Sequence, residues 1–392
     1  MKIARIETLQ ADAGWRLTCF VKITTDDGLI GWSEYGEHTG TLGVTGVIEA
    51  LGALIIGQDA AGIERIAAFL RGRTIQASGG VNQHAIAALV NALLDIKGKA
   101  LGVPVHALLG GAFRDRVPVY WSHCGSYRVR HAALLGVPPL RGYDDWARLG
   151  AEVAARGFRA LKTSVMPMGD GAFTNFSPGF AHTPGWPAVN PPDRDFILSL
   201  DRQLTALREG AGEAMEIGLD VNFHFRTEGF LDVLRAVESH RLMWLELDSF
   251  DPAALSHIRA KARCPIASGE AFLGRRELKR LLDVQALDVA VVDVVWNGYL
   301  EAIKMAAMAE AQEVNVAPHN YGGPLTDIMS AHFAAAIPNL RIMEIDIDDV
   351  PWRHDFVTTP PCIEDGAMVV PQGPGWGTEV DEKAIRARPP RH

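Results

Sequence analysis

Short apolar runs that each end in an acidic residue or a histidine recur through residues 216–346. These polar ends stand about 25 residues apart, and segments with apolar residues at helical spacing separate the runs. The polar ends are, in chain order, Asp220, Glu246, Glu270, Asp293, His319 and Glu344. Buried parallel strands read as continuous apolar runs, so the repeat predicts a β/α barrel with these six side chains on one rim.

The first 35 residues show a different pattern, in which apolar and polar positions alternate. This alternation, with a turn at Asp26–Gly28, predicts a small antiparallel sheet. Apolar residues then recur at helical spacing over residues 46–70 and 81–101. The N-terminal third is therefore expected to be α+β.

The segment after Glu344 is strand-like and rich in Gly and Pro, which suggests that the chain returns to the N-terminal sheet. We therefore predict three parts. They are an α+β capping domain over residues 1–115, a barrel that carries the active site over 116–350, and a C-terminal return to the cap over 351–392.

The first two barrel strands are predicted at residues 117–125 and 157–164, and Lys162 is the polar residue near the end of the second. Each is followed by a long connection, at 125–142 and 165–195. The second connection is dense in Gly, Pro, Phe and Trp and has no periodicity. Loops of this length are usually lids or binding loops, although a surface insertion or an oligomer contact is the alternative.

Composition narrows the class of protein. The 392 residues suit two domains, and the net charge of −9 argues against a nucleic-acid surface. The four cysteines, Cys19, Cys124, Cys264 and Cys362, show no paired spacing and are expected to be reduced. We expect no signal peptide, no membrane span and a cytoplasmic location, because no suitable apolar run is present.

Three of the strand-end carboxylates, Asp220, Glu246 and Glu270, belong to consecutive predicted strands and should converge. Three hard oxygen ligands without Cys or a His pair suit Mg²⁺. Without a cation these carboxylates would repel one another. The alternative is that one or two of them form salt bridges with Arg or Lys.

Asp293 and His319 end the next two predicted strands and are expected to hydrogen-bond, which would make His319 a general base. Glu344, if protonated, would donate a hydrogen bond to a substrate oxygen, and Lys162 would place a positive charge beside it. With Mg²⁺, these groups would stabilise the enediolate that forms when a proton α to a carboxylate is removed.

These segments resemble the enolase superfamily, and within it the mandelate racemase subgroup, over nearly the whole chain. The motifs are GFRALKTS, LDVNFHF, WLEL, SGEA, VVDVVWNGY, APHN and MEID, in this order. The resemblance implies a modified (β/α)₇β TIM barrel with an α+β cap formed by both termini, and Mg²⁺ at Asp220, Glu246 and Glu270. It also implies that early cap loops around Trp15–Arg16 and Gly36–Thr45 close over the substrate.

One departure from the family pattern changes the expected reaction. The second lysine of the Lys-x-Lys strand is replaced by Ser164, which cannot act as a base without an activating partner. Racemisation, which needs a base on each face, therefore becomes doubtful. A one-base site built on His319 and Asp293 resembles the acid-sugar dehydratases, which form 2-keto-3-deoxy acids. Asn222 and Ser164 are expected to line the substrate, and His224 is either the general acid or a loop histidine with a backbone partner.

Arginines in the first long loop, Arg128, Arg130 and Arg141, are candidates to bind a distal carboxylate, which would favour a dicarboxylic sugar acid. Two alternatives to the dehydratase stay open. One is a racemase, epimerase or cycloisomerase on the same scaffold, and the other is a catalytically silent barrel that binds a sugar acid. A homo-oligomer, often of eight subunits in the family, is expected.

Overall fold

The antiparallel sheet at the N-terminus has the order β1–β2–β3, with β1 at Ile3–Asp12, β2 at Leu17–Thr25 and β3 at Ile30–Tyr35. The computed structural model describes residues 1–178 and 190–390. Gly28 adopts a left-handed conformation (φ +88°) and its amide donates to the Thr25 carbonyl at 3.0 Å, which closes the turn. The predicted sheet and turn are confirmed.

Three helices pack beside this sheet: α1 (Val44–Ala53), α2 (Ile63–Arg73) and α3 (Gly80–Leu101). Helix α3 is buried along most of its length, because it lies between the cap sheet and the barrel. The Asn91 side chain joins the two domains, since it donates to the Val294 carbonyl at 3.0 Å and accepts from the Tyr299 amide at 2.8 Å.

The strands and helices after the cap alternate as the repeat predicts. The strands are β4 (Arg116–Ser122), β5 (Ala160–Ser164), β6 (Met168–Gly169), β7 (Ala172–Phe173), β8 (Glu216–Asp220), β9 (Trp244–Glu246), β10 (Ile266–Ser268), β11 (Val289–Asp293), β12 (Asn315–His319), β13 (Met343–Asp346), β14 (Ile363–Glu364) and β15 (Ala367–Val369). The helices are α4 (Ser126–Leu135), α5 (Tyr143–Ala155), α6 (Arg194–Ala211), α7 (Thr227–Val237), α8 (Pro252–Lys261), α9 (Arg275–Asp283), α10 (Val294–Asn297), α11 (Tyr299–Glu310), α12 (Pro324–Ala336) and α13 (Glu382–Arg386).

Eight of the described strands form a parallel barrel in the order β4, β5, β8, β9, β10, β11, β12 and β13. Strand β13 pairs with β4, and the segment just before β13 pairs with β12. There the Val316 amide donates to the Asn339 carbonyl and the Arg341 amide donates to the Val316 carbonyl, each at 2.8 Å. These bonds complete the ring, which is the predicted (β/α)₇β barrel.

The inside of the barrel is packed rather than open. One buried cluster is formed by side chains from different barrel strands, among them Tyr120, Trp244, Val291 and Ala317. Packing of this kind fills the bottom and middle of a small barrel and leaves the carboxyl ends of the strands as the place for polar groups.

The C-terminal segment has two parts, a short hairpin on the barrel and a tail on the cap. Strand β15 pairs antiparallel with β4, where Met368 is opposite Val117, and it does not join the N-terminal sheet. The tail still reaches the cap through Trp376, whose amide donates to Asp95 Oδ1 and whose indole nitrogen donates to the Trp32 carbonyl, both at 2.9 Å. The last residues also lie against the N-terminal sheet, where the Asp12 amide of β1 donates to the Arg388 carbonyl at 2.9 Å, and the short strand β15 pairs with β4 instead.

The two long connections also have structure. Residues 125–142 contain α4, which is kinked at His131, and the 165–195 connection begins with the β6–β7 hairpin. Its centre, residues 179–189, lies outside the described residues, and so does the part of the predicted lid that falls there. Among the described helices, none combines the length and the apolar character that a membrane crossing requires.

Candidate active site

The polar strand ends meet at one rim of the barrel because their strands are parallel and in register. Asp220 is the direct neighbour of Glu246 across β8 and β9, and Asp293 is the direct neighbour of His319 across β11 and β12. A cavity of about 270 Å³ opens at this rim. The predicted site residues that line it are Lys162, Ser164, Asp220, Asn222, His224, Glu270, His319 and Glu344.

Lys162 is the buried cation at the centre of this rim, with its side chain only 3% exposed. Its Nζ lies 2.8 Å from Glu246 Oε1, 3.0 Å from Glu344 Oε1 and 3.4 Å from Asp220 Oδ2. Burial by itself would lower the pKa of Lys162, but the surrounding carboxylates raise this pKa well above its usual value. Lys162 therefore remains charged and holds these carboxylates close together.

The predicted metal ligands are crowded carboxylates. Burial raises the pKa of Glu246 to about 7 against the opposing effect of Lys162, and the Asp220 charge adds to the rise. Burial also raises the pKa of Glu270 well above its usual value, and Asp248, Asp220 and Glu246 add to this effect. Such repulsion between hard oxygen donors is what a bound divalent cation relieves.

The donor set therefore fits Mg²⁺ in its chemistry. Within residues 1–178 and 190–390, however, no three acidic, histidine or cysteine side chains surround one point closely enough to hold a metal ion. In this structure Lys162 balances Asp220 and Glu246, while His319 Nε2 lies 3.3 Å from Glu270 Oε2. The prediction that Asp220, Glu246 and Glu270 bind a metal stays a prediction.

His319 and Asp293 form the predicted pair, with His319 Nδ1 at 2.6 Å from Asp293 Oδ2. The other oxygen of Asp293 accepts from the backbone amides of Val295 and Trp296 at 2.6 and 2.8 Å, so the start of α10 orients this carboxylate. Burial would lower the pKa of His319, but Glu270, Asp293 and Glu344 raise it to about 10. The fixed Nδ1 contact leaves Nε2 facing the cavity.

Glu344 does not have the protonated form that the sequence analysis considered. Its Oε1 accepts from Ser122 Oγ and its Oε2 accepts from the Asn320 amide at 2.9 Å. Burial would raise the pKa of Glu344, but the charges of Lys162 and His319 lower it far below its usual value. Glu344 is therefore an ionised acceptor in this structure, and the hypothesis that it donates a hydrogen bond is not supported.

Ser164, Asn222 and His224 lie where the motifs predict, in the cavity wall. Ser164 is the strand neighbour of Asp220 at the end of β5, and Asn222 Nδ2 lies 3.5 Å from Glu270 Oε1. His224 is buried and its ring lies 5.5 Å from the Phe176 ring. Burial lowers the pKa of His224 to about 4, so its imidazole is neutral near pH 7 and poorly suited to act as an acid.

Arg128 contradicts its predicted role in substrate binding. Its Nε lies 3.0 Å from both carboxylate oxygens of Asp348, and its Nη1 donates to Glu152 at 2.6 Å. The side chain is 7% exposed, and it is absent from the cavity wall. Of the other two loop arginines, Arg130 lines the cavity and Arg141 does not. The guanidinium of Arg128 thus joins α4 and α5 to the segment after β13.

Trp15 and Arg16 do not line this cavity but line a neighbouring one, which shares His38, Trp296 and Tyr321 with it. The Trp15 ring stacks on the His131 ring and is tilted by 45° against the Tyr127 ring, in both cases with centroids 4.9 Å apart. Arg16 pairs with Asp346 at 3.3 Å and with Asp349 at 2.5 Å, and its guanidinium lies 5.0 Å from the Tyr321 ring. The predicted contact of Trp15 and Arg16 with substrate stays a prediction.

A second histidine–aspartate pair lies at the same rim and was not predicted from the sequence. His123 follows β4, and its Nδ1 lies 2.8 Å from Oδ1 of Asp346, the last residue of β13. Both residues fit the pattern of polar residues at strand ends, because His123 comes just after an apolar run and Asp346 comes two residues after Glu344. This pattern could have revealed them if each strand end had been searched for more than one polar residue.

Comparisons with known proteins agree with this architecture. A family model described as enolase C-terminal domain-like matches residues 145–384. A second model, the N-terminal domain of mandelate racemase / muconate lactonizing enzyme, matches residues 12–110. Together these matches cover the cap and the barrel.

Two curated relatives carry dehydratase names. A D-galactonate dehydratase family member from Streptomyces bingchenggensis is 32% identical over 94% of this chain and 89% of its own length. A D-galactonate dehydratase from Ralstonia nicotianae is 30% identical over 99% of this chain and 94% of its own length.

A solved structure carries a different name. It is a protein from Burkholderia xenovorans strain LB400, provisionally named an L-alanine-DL-glutamate epimerase, with a TM-score of 0.97 and 46% identity. The match covers 100% of this chain and 99% of that one. The protein of this name has also been crystallised with magnesium and fumarate bound.

Proposed function

We propose that this chain, which belongs to the mandelate racemase/muconate lactonizing enzyme family, is a Mg²⁺-dependent acid-sugar dehydratase. In this reaction a base removes the proton at C2, next to the carboxylate of a polyhydroxy acid. The hydroxyl at C3 leaves as water, and the resulting enol becomes a 2-keto-3-deoxy acid.

The observation that carries this proposal is the His319–Asp293 pair, combined with a serine where a second base would stand. His319 Nδ1 is held at 2.6 Å by Asp293 and Nε2 faces the cavity, so the imidazole would act as a general base once a cation bound at Glu270 offsets the charge that raises the His319 pKa. Ser164 lies on β5, three strands away around the barrel, and also faces the cavity. A site with one base can remove a proton and complete an elimination, but it cannot by itself return a proton to the opposite face.

The remaining groups place positive charge where negative charge develops. Lys162 faces the cavity from β5 and would lie beside the carboxylate of the substrate as the enediolate forms. Glu344 and Asp220 hold the Lys162 ammonium at 3.0 and 3.4 Å, so the charge is already in place before the substrate arrives. Burial of these groups strengthens their effect, because water is excluded.

The metal would be held by Asp220, Glu246 and Glu270. When bound, Mg²⁺ supplies a Lewis acid that stabilises negative charge on the substrate's carboxylate. The residues themselves supply the hard oxygen donors and a buried setting in which their repulsion favours a cation. Support also comes from the Burkholderia protein, which has been crystallised with magnesium and fumarate.

The curated relatives support a sugar acid as substrate. The relatives from Streptomyces and Ralstonia are named for D-galactonate, and a more distant one from Thermoproteus tenax, 28% identical, is named for D-gluconate. All three names describe loss of water from an aldonic acid. D-Galactonate and D-gluconate are therefore the first substrates to test.

An epimerase is the second candidate, because the Burkholderia structure is 46% identical over the whole chain and bears an epimerase name. Epimerisation uses the same proton abstraction but needs a second group to return the proton from the other face. The L-alanine–L-glutamate dipeptide is the corresponding test substrate. Its epimerisation without any keto-acid product would replace the dehydratase proposal.

Proton NMR in D₂O with Mg²⁺ tests both candidates in one experiment. We expect a 2-keto-3-deoxy product from at least one aldonic or aldaric acid in a panel that includes D-galactonate and D-gluconate. Deuterium at the α-carbon without a keto product would refute dehydration and favour the epimerase. No reaction with any sugar acid would refute the proposed substrate class.

The variant His319→Asn tests the base. We expect exchange of the C2 proton to fall by about 10²–10⁴-fold, since a positioned base contributes a factor of this size. His257→Asn is the matched control, because His257 is exposed on α8. Exchange that continues undiminished in His319→Asn would show that another group removes the proton.

A further inference from the structure

The His123–Asp346 pair stands on a different wall of the cavity from His319. His123 Nδ1 lies 2.8 Å from Asp346 Oδ1, its side chain is 20% exposed, and its ring lines the cavity. The residue adopts a left-handed conformation (φ +46°), in which the chain turns from the end of β4 towards α4. The arrangement has the same parts as the His319–Asp293 pair, an imidazole held at Nδ1 by a buried carboxylate.

Packing fixes the orientation of the His123 ring. The Tyr127 ring stacks on it at 4.7 Å with an angle of 15°, and the Tyr321 ring lies 5.5 Å away. Ser122 Oγ is 3.2 Å from Nδ1 on the strand side. With the ring clamped between these groups, the nitrogen that is left for a ligand in the cavity is Nε2.

Asp346 is an ionised partner. It is fully buried, and its Oδ2 lies 3.3 Å from Arg16 Nη1 and 3.4 Å from the Tyr127 hydroxyl. Burial would raise the pKa of Asp346, but His123 and Arg16 lower it below its usual value. The Asp346 carboxylate holds the His123 Nδ1 side of the ring, so Nε2 is the nitrogen that can deliver a proton to a ligand in the cavity.

We propose that His123 is the proton donor to the departing hydroxyl in the dehydration. This inference rests on the proposed function. His319 takes the C2 proton, the C2–H electron pair forms the C2=C3 bond, and the C3–O bond breaks. The hydroxyl takes the Nε2 proton of His123 and leaves as water, and His123 is left neutral. No oxidant, reductant or further reactant is needed.

The barrel places the two imidazoles within reach of one small substrate. His319 ends β12, Glu344 and Asp346 lie on β13, and His123 follows β4, so a single strand separates the two histidines. Neighbouring strands lie about 5 Å apart, and the two strand ends are therefore about 10 Å apart. The Tyr321 ring contacts both imidazoles, with centroids 6.5 Å from His319 and 5.5 Å from His123.

The structure favours His123 over His224 for this step. His224 lies among aromatic rings, with Phe176 at 5.5 Å, and its side chain is buried. His123 is held by an ionised carboxylate and is partly open to the cavity. A proton donor needs an open path to the leaving group, which the partly exposed His123 ring has in the cavity.

The test separates proton abstraction from loss of the hydroxyl. In His123→Asn, with Mg²⁺ and the sugar acid that the wild-type enzyme dehydrates, we expect keto-acid formation to fall by about 10²–10⁴-fold. Deuterium exchange at C2, which depends on His319, should stay within about tenfold of the wild type. A comparable fall of exchange and elimination would overturn the proposal, and so would a change in KM alone.

A second substrate distinguishes loss of the proton donor from general damage to the active site of the variant. A 3-deoxy-3-fluoro analogue of the same acid loses fluoride, which leaves without a proton. His123→Asn should therefore eliminate fluoride at close to the wild-type rate, and failure to do so would overturn the proposal. His240→Asn is the matched control, because it removes a histidine–aspartate pair (Nε2 to Asp201 Oδ1 2.8 Å) outside the cavity.

The outcomes distinguish the two proposals. A wild-type enzyme that exchanges the C2 proton but forms only an epimer refutes dehydration and the donor role together. A wild-type enzyme that dehydrates, with undiminished dehydration in His123→Asn, refutes the donor role alone. Dehydration that is lost in His224→Asn but kept in His123→Asn would assign the donor role to His224 instead.

Discussion

Replacement of Arg128 by methionine should destabilise the protein without affecting catalysis. Methionine keeps most of the aliphatic length of arginine and removes the guanidinium. In the folded protein that guanidinium contacts Asp348 at 2.9 and 3.0 Å and Glu152 at 2.6 and 2.9 Å. The change therefore leaves the Asp348 carboxylate without its cation and leaves Glu152 with only the longer contact to Arg156, at 3.9 Å.

The magnitude follows from how deeply each carboxylate is buried. The Asp348 side chain is 4% exposed, and removal of one partner from a buried pair costs about 3–5 kcal/mol. The Glu152 side chain is 39% exposed and can regain water, so its share is about 1 kcal/mol or less. We expect the free energy of unfolding at pH 7 to fall by about 4 kcal/mol.

The loss should also depend on pH with a defined sign. Burial raises the pKa of Asp348, and Arg128 opposes this rise. Without Arg128 the pKa of Asp348 goes higher, so the buried group is protonated more readily as the pH falls. The penalty of Arg128→Met should therefore be largest near pH 7 and smaller in mildly acidic solution.

Urea unfolding followed by circular dichroism measures this effect. The control is Arg148→Met, which removes an exposed arginine (70% exposed) that pairs with Asp145 on the same helix, α5. It should change the free energy of unfolding by no more than about 0.5 kcal/mol. Addition of Asp348→Asn to Arg128→Met should recover part of the loss, because no charge then stays buried.

Kinetic measurements on the same variant test the alternative, that Arg128 binds substrate. If Arg128→Met leaves stability nearly unchanged but raises KM for a dicarboxylic sugar acid, Arg128 binds substrate as the sequence analysis predicted. A destabilised variant with unchanged KM supports the structural role. The same measurement on Arg130→Met shows whether the arginine that does line the cavity binds substrate.

Three further outcomes are expected. Mg²⁺ at about 100 times its Kd should stabilise the wild type by about 2.7 kcal/mol and raise its Tm. Asp220→Asn should abolish this shift in Tm. An equal shift in the wild type and the variant would place the metal elsewhere. Ser164→Ala should slow dehydration by less than about tenfold, and a loss as large as that of His319→Asn would show that the serine takes part in proton transfer. Burial raises the pKa of Glu34 from its usual 4.5 to about 7, although the backbone amides of Gly323 and Thr326 oppose this rise. Ionisation of Glu34 therefore lowers the free energy of unfolding by about 3 kcal/mol once the pH has risen through 7. Glu34→Gln should therefore show a smaller loss of stability between pH 5 and 8 than the wild type, and identical pH profiles would contradict this assignment.

The barrel and its polar rim could be predicted because both depend on local features of the chain. A strand buried on both faces must be apolar along its length, and a charged residue is tolerated where the strand reaches the rim. Asp220, Asp293 and His319 are each the last residue of a described strand, as the spacing predicts. The structure brings Asp220 and His319 to one cavity, with Asp293 bonded to His319, because parallel neighbours stay in register.

The position of the C-terminal strand could not be predicted in the same way. A short strand-like segment can pair with any free edge, and its sequence does not specify which edge is available. Strand β13 covers β4 over residues 119–122, which leaves residues 116–118 open, and β15 pairs there. Only the assembled barrel shows that this edge is free.

Arg128 and His123 show the same limit at the level of single side chains. Arg128 stands in a predicted loop, where the sequence by itself indicated substrate as the partner, and the strand-end pattern did not single out His123. Their actual partners, Asp348 and Asp346, lie 220 and 223 residues further along the chain. Whether a charged group binds a ligand or holds the fold together depends on which opposite charge is buried beside it, and only the tertiary structure determines that.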